Sequence, residues 1–128
     1  MMLLVEVAPG ELIDKITILE IKLQKINDKA SLAHVRQEYE ILTKTLRANI
    51  VETAELRALT DELRVVNAKL WDIEDDIRKH ERAMDFGPTF VELARSVYRS
   101  NDRRAATKRK INQLLNSVIM EEKSYEPY

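Results

Sequence analysis

Apolar residues recur three and four positions apart over most of this chain, the period of amphipathic helices and not the alternation of strands. Leu12, Ile16, Leu19, Leu23 and Ile26 set the main seam of a first helix running from about Gly10 to Asn27. Ile18 and Ile21 point elsewhere, so this helix is apolar on two sides. Such a helix is central to a bundle or shared with a partner chain. Leu32, Val35, Tyr39, Leu42 and Leu46 predict a second helix to Asn49, with Ser31 as its cap. The third, Ala54 to Met84 behind a Thr53 cap, carries Leu56, Leu59, Leu63, Val66, Leu70, Ile73 and Ile77. Asp85-Phe86-Gly87-Pro88 ends it, with Gly as terminator and Pro as the next start. The fourth helix, Pro88 to Ser117, has a seam of Leu93, Val97, Ile111, Leu115 and Val118 if it is continuous. Ser100-Asn101-Asp102 is a weak helix patch, where a kink or break is the alternative. Short connections make neighbouring helices antiparallel. The expected fold is therefore all-α, an antiparallel bundle of about four helices in one domain, residues 1–128. Residues 1–8 form an N-terminal arm, and residues 119–128 a polar, acidic tail that is disordered or lies back across the bundle.

One stripe exceeds what packing requires. Beside the apolar seam of the third helix lie Asn67, Trp71, Glu74, Asp75 and Arg78, while Lys69, Asp72, Asp76 and Lys79 take the wet face. With a turn near Phe86, Trp71 and Asp75 fall level with Tyr98–Asp102 of the fourth helix. There Arg104 stands inside the apolar seam, Asn101, Lys108 and Asn112 stand beside it, and Tyr98 lies further round. Two readings follow. In the first, the stripe is a satisfied network of ion pairs and amides, since a buried charge must be paired. In the second, it lines a pocket. Arg78, Arg104 and Lys108 then clamp a phosphate or carboxylate, Trp71 forms a wall, and Glu74 or Asp75 acts as acid or base. Asn67, Tyr98, Asn101, Asp102 and Asn112 complete the candidate ligand set.

Composition narrows the function classes. Ala, Glu, Lys, Leu and Arg make up about half of the 128 residues, as in long helices and bundles. Lys and Arg total 21 against 22 Asp and Glu, and the net charge of −1 argues against nucleic acid as a partner. The basic run Arg99–Lys110 has no interleaved aromatics and reads as a helix face. No cysteine excludes disulfides and thiolate chemistry. His34 and His80 are the only histidines, no Glu-x-x-His occurs, and no metal site is expected. Magnesium at Glu74 and Asp75 would need help from Asp102 or Glu20, because adjacent helical residues diverge. Cofactors are otherwise open. The opening M-M-L-L-V-E-V is too short, and lacks the basic start, for a signal peptide. No apolar run approaches the roughly 20 residues of a membrane span, so a cytoplasmic protein without membrane contact is expected.

Four segments carry a resemblance: P-G-E-L-I-D-K-I-T-I-L-E-I-K (9–22), V-N-A-K-L-W-D-I-E-D-D-I-R (66–78), the run F-V-E-L-A-R-S-V-Y-R-S-N-D-R-R-A-A followed by K-R and I-N (90–112), and E-E-K-S-Y (121–125). On these the chain resembles a family of small bacterial and phage proteins labelled a domain of unknown function, over nearly its whole length. The resemblance implies an all-helical fold and supplies no activity or catalytic residue. The reading that asks for least is a helical interaction or scaffold protein, self-associating as a dimer through the first helix. The alternative is an enzyme or binding protein for a small anionic metabolite held between the third and fourth helices.

Overall fold

Pro9 begins the first helix, α1 (Pro9–Lys25), where its fixed φ suits a first turn and its missing N–H costs nothing. Glu11 in the first turn and Lys22 and Lys25 in the last complement the helix dipole. The computed structural model describes residues Met1–Tyr128 and holds three further helices and no strand: α2 (Lys29–Asn49), α3 (Ala54–Arg82) and α4 (Pro88–Leu114). No helix is long and apolar enough to cross a membrane.

The helix ends follow local chemistry, with departures from the sequence reading. α2 starts at Lys29, and its cap is Asp28, not Ser31: the Asp28 carboxylate accepts from the Ser31 N–H and hydroxyl, each at 2.8 Å. Those bonds hold the Asp28 carboxyl below its ordinary range. Thr53 caps α3 as expected, accepting from Leu56 N at 3.1 Å. Gly87 is not the terminator of α3. Met84 takes the left-handed conformation at φ 53°, with Asp85 N bonded to His80 O and Met84 N to Glu81 O. α4 is continuous through Ser100–Asp102 and stops at Leu114, three residues before Ser117. Asn116, also at φ 53°, closes it in the same way, with Ser117 N on Asn112 O and Asn116 N on Gln113 O. The chain therefore leaves the seam, and Val118 is 98% exposed instead of packed.

α1 is the central element: it packs on α2, α3 and α4, whereas α2 touches neither α3 nor α4 at the level of the helix backbones. Its buried Ile13, Ile16, Leu19 and Ile21 are covered by the chain's own helices. The core proper joins Ile13, Leu56, Leu63, Val66 and Ile111, with Leu46, Ile50, Leu59, Leu114 and Leu115 packed around it. Each such side chain contributes on the order of 1.5–3 kcal/mol by leaving water. α1 and α4 meet in opposite chain order, since Gly10 bonds Asn112, Glu11 pairs with Lys108, and Asp14 pairs with Arg104. The tail lies back along α4: Glu122 pairs with Arg109, Tyr128 donates to Asp102, and the Tyr128 ring sits edge-on to Tyr98 at 5.1 Å.

Candidate functional site

Asp14, on α1, is 1% exposed. A carboxylate so deep needs donors around it. Arg104 of α4 supplies two, Nε to Oδ1 at 2.9 Å and Nη2 to Oδ2 at 2.6 Å, in the forked geometry that matches a carboxylate. Asn67 of α3 supplies a third, Nδ2 to Oδ1 at 2.9 Å. The same amide group lies 3.0 Å from Thr17 Oγ1, and the Thr17 hydroxyl donates to the Asp14 carbonyl at 2.7 Å. One carboxylate thus ties three helices together. The bond to Asp14 raises the Arg104 guanidinium above its ordinary range, against burial, and Glu11 and Glu121 act in the same direction.

Near the start of α1 a second contact repeats the logic. The Gly10 N–H, one of the donors a helix start leaves open, bonds Asn112 Oδ1 at 2.7 Å. A Cβ on Gly10 would stand 2.6 Å from the Lys108 carbonyl oxygen, so glycine is required by the close approach of α4. Lys108 Nζ reaches Glu11 at 2.6 Å and Glu121 at 3.7 Å.

Beyond Asp14 the polar layer opens into a groove of about 490 Å³ between α1, α3 and α4. Ile18, Ile21 and Leu70 give it apolar surface, while Trp71, Asp75, Asn101 and Arg104 give it polar groups. Glu74 and Arg78 also line it, bonded to each other. Asp75 makes no ion pair within the chain, and Arg104 Nη1 makes no hydrogen bond there. The charges on the groove nearly cancel: two guanidinium groups face their own carboxylates, and Asp75 is left over.

The residues singled out in the sequence therefore divide in three. Asn67, Trp71, Glu74, Asp75, Arg78, Asn101 and Arg104 share the groove, and Asn67 and Arg104 belong also to the buried network. Lys108 and Asn112 line a different cleft, beside the arm and the tail. Tyr98 and Asp102 stand under the tail, held by Tyr128. No three His, Asp or Glu side chains converge as metal ligands. Glu74 goes to Arg78, Glu20 to Arg64 at 2.8 Å, and Asp102 to Tyr128.

The partner of Arg104 was missed. Sequence reasoning set Arg104 only against the polar stripe of the third helix, and the structure supplies its partner from α1. Two signals pointed to Asp14. An arginine inside an apolar seam demands a buried carboxylate, and Gly10, Asp14, Thr17 and Ile21 recur at helical spacing on one line of α1.

Comparison with curated proteins and with solved structures gives no match. The profile of a family of unknown function (DUF6165) matches residues 3–128, arm and tail included, and the chain belongs to that family.

Proposed function

We propose that this chain is a helical interaction protein that assembles with itself, and that its buried polar layer is structural. The observation that carries the reading is surface. A compact monomer of 14.9 kDa exposes about 7000 Å². This chain exposes 9438 Å², an excess of about 2400 Å². A stable interface takes about 800 Å² from each partner. The exposed apolar residues are also concentrated: Met1, Met2, Leu3, Leu4 and Val5 follow one another, and α2 buries none of its residues. On α1, where the sequence placed the dimer contact, Ile16, Leu19 and Ile21 are buried against the chain's own helices, and the more exposed arm and α2 are the surfaces this reading favours. A cytoplasmic setting suits a chain without cysteine. Sedimentation equilibrium over a hundredfold range of concentration tests the reading. The expected mass exceeds 14.9 kDa and rises with concentration. A single species of that mass throughout would overturn it.

A second reading, a small anionic ligand in the α1/α3/α4 groove, rests on the unpaired Nη1 of Arg104. An arginine held rigid by Asp14 presents its remaining N–H groups to the groove without ordering cost. Asp75, which has no ion-pair partner, is then the acid–base candidate. A thermal-shift screen with phosphates, nucleotides and dicarboxylates, with and without magnesium, tests it. Ligand at about 100 times its Kd adds about 2.7 kcal/mol. The near-cancellation of charge around the groove is why this reading stands second.

A further inference from the structure

We infer that two copies of this chain exchange their N-terminal arms, each arm seating Leu3–Val5 in a cleft of the other copy. The inference rests on the self-association proposed above and names the element that carries it. The cleft, about 550 Å³, lies among the arm's Val7 and Ala8, the α4 residues Ala105 and Ala106, and Ile119 of the tail.

Three observations fix the occupant. The first is charge. Lys108 is paired with Glu11 and Glu121, Arg109 with Glu122, and Lys123 with Glu121, so the cleft's cations are already neutralised from within the chain. Glu6, also on the lining, has no ion-pair partner and disfavours a further anion, so the cleft suits an apolar segment without carboxylates, and Leu3–Val5 is one, exposed at every residue.

The second is backbone. Residues 1–7 and 118–128 make no backbone-to-backbone hydrogen bond, and apart from the Ile119 and Glu121 carbonyls, which accept from Ser117 and Arg109 side chains, N–H and C=O groups stand free on both segments that flank the cleft. A segment laid between them gains main-chain bonds as well as apolar contact.

The third is reach. A chain's own arm enters this cleft only by doubling back within Leu4–Val7, and L-V-E-V holds no glycine, proline, asparagine or aspartate to make the turn. A second copy supplies the arm without a turn. Reciprocal exchange also closes the assembly at two, as a two-fold contact does, and draws on the surface excess described above.

The test uses the full chain in three forms: wild type, the arm variant Leu3→Asp/Leu4→Asp, and the cleft variant Ala106→Arg, at an exposed helical position. Mass is followed by analytical ultracentrifugation and helix content by circular dichroism. The wild type is expected as a dimer. Each variant should keep its helix content and dimerise at least roughly 100-fold more weakly, since several apolar side chains per arm lose their burial. Mixing the two variants leaves one sound arm facing one sound cleft, and partial recovery of dimer is expected. Dimers that persist in both variants would overturn arm exchange and leave self-association standing through another surface. A wild type that stays monomeric would overturn both. If that monomer floats with phosphatidylcholine vesicles and the arm variant does not, the arm belongs to a lipid surface instead.

Discussion

Asp14→Asn tests the buried layer directly, because it keeps the side chain's shape and removes its charge. Three side-chain hydrogen bonds end on the Asp14 carboxylate, two of them from Arg104. Asparagine keeps one acceptor oxygen and turns an NH2 toward a guanidinium nitrogen that only donates. A bond to a charged group nets about 1.5–3 kcal/mol; one is lost outright and another is weakened. Arg104 meanwhile keeps its charge on a side chain only 30% exposed. Breaking a buried pair from one side costs about 3–5 kcal/mol. The partial exposure of Arg104 brings the expectation to the lower end, about 3 kcal/mol. With a urea slope of about 2 kcal/mol per molar, the unfolding midpoint falls by about 1.5 M. Urea titration followed by far-UV circular dichroism measures this. A double-mutant cycle with Arg104→Gln isolates the pair, with a coupling of at least about 1.5 kcal/mol expected. A loss below about 0.5 kcal/mol, or additive single variants, would refute the claim that this carboxylate organises the three helices.

The groove should behave in the opposite way. Glu74→Gln/Asp75→Asn is expected to change stability by less than about 0.5 kcal/mol, because the Glu74 side chain is 46% exposed and Asp75 has no ion-pair partner. A loss of about 3 kcal/mol in the same urea titration would make them structural partners after all. Gly10→Ala is expected to cost about 2 kcal/mol by thermal melting, despite alanine's advantage of about 1 kcal/mol inside a helix. The reason is a Cβ placed 2.6 Å from the Lys108 carbonyl; an unchanged melt would mean that α1 yields easily there. The tail's attachment should loosen at both pH extremes, read by NMR relaxation of the Cα carbons of residues 118–128. The bond from Lys123 within the tail, opposed by burial and aided by Lys108 across on α4, holds Glu121 below its ordinary carboxyl range, so the Lys108–Glu121 contact stands above that range and is lost as pH falls through the lowered value. The bond to Asp102, with burial and the charges of Asp102 and Tyr98, raises Tyr128 above 10.0, so this contact stands below that value and is lost as pH rises through the raised one. Relaxation that stays unchanged from acid to alkali would refute the latch.

The helices were legible because burial imposes a period. The seam of α3, from Leu56 to Ile77, is buried or half-buried at every position, and its wet face of Lys69, Asp72, Asp76 and Lys79 is exposed. What failed was what period does not encode. Met84 and Asn116 end their helices in the left-handed conformation, a backbone event that no apolar spacing announces, and Gly87 attracted the assignment by composition. The groove was half legible. Its α3 wall and its Asn101 and Arg104 follow from helical spacing plus an antiparallel turn. Its α1 side does not, because the level at which a non-adjacent helix crosses is set by close packing. That packing turns on Gly10, where a Cβ would meet the Lys108 carbonyl, and on Asp14, one of 22 acidic residues in the sequence.

A buried Asp–Arg pair is a poor way to gain stability, since apolar side chains of equal volume often do as well or better. Its advantage is uniqueness. Apolar contacts such as those among Ile13, Leu63, Val66 and Ile111 discriminate weakly between registers, whereas the hydrogen bonds of Asp14, Asn67, Thr17 and Arg104 demand one. The layer thus fixes how α1 crosses α3 and α4, and α2, which takes no part in it, is held through α1. This bears on assembly. The arm leaves the bundle at Pro9, one residue before the Gly10 N–H is pinned by Asn112, and Asn112 also lines the cleft proposed to receive a second arm. An arm exchanged between two copies must leave its own bundle and enter the other at fixed angles. The polar layer holds the exit and the entrance on the same two helices, α1 and α4, in one geometry. On that proposal, the same residues that make the sequence resemble a site serve a structural end: they aim the arm toward the second copy.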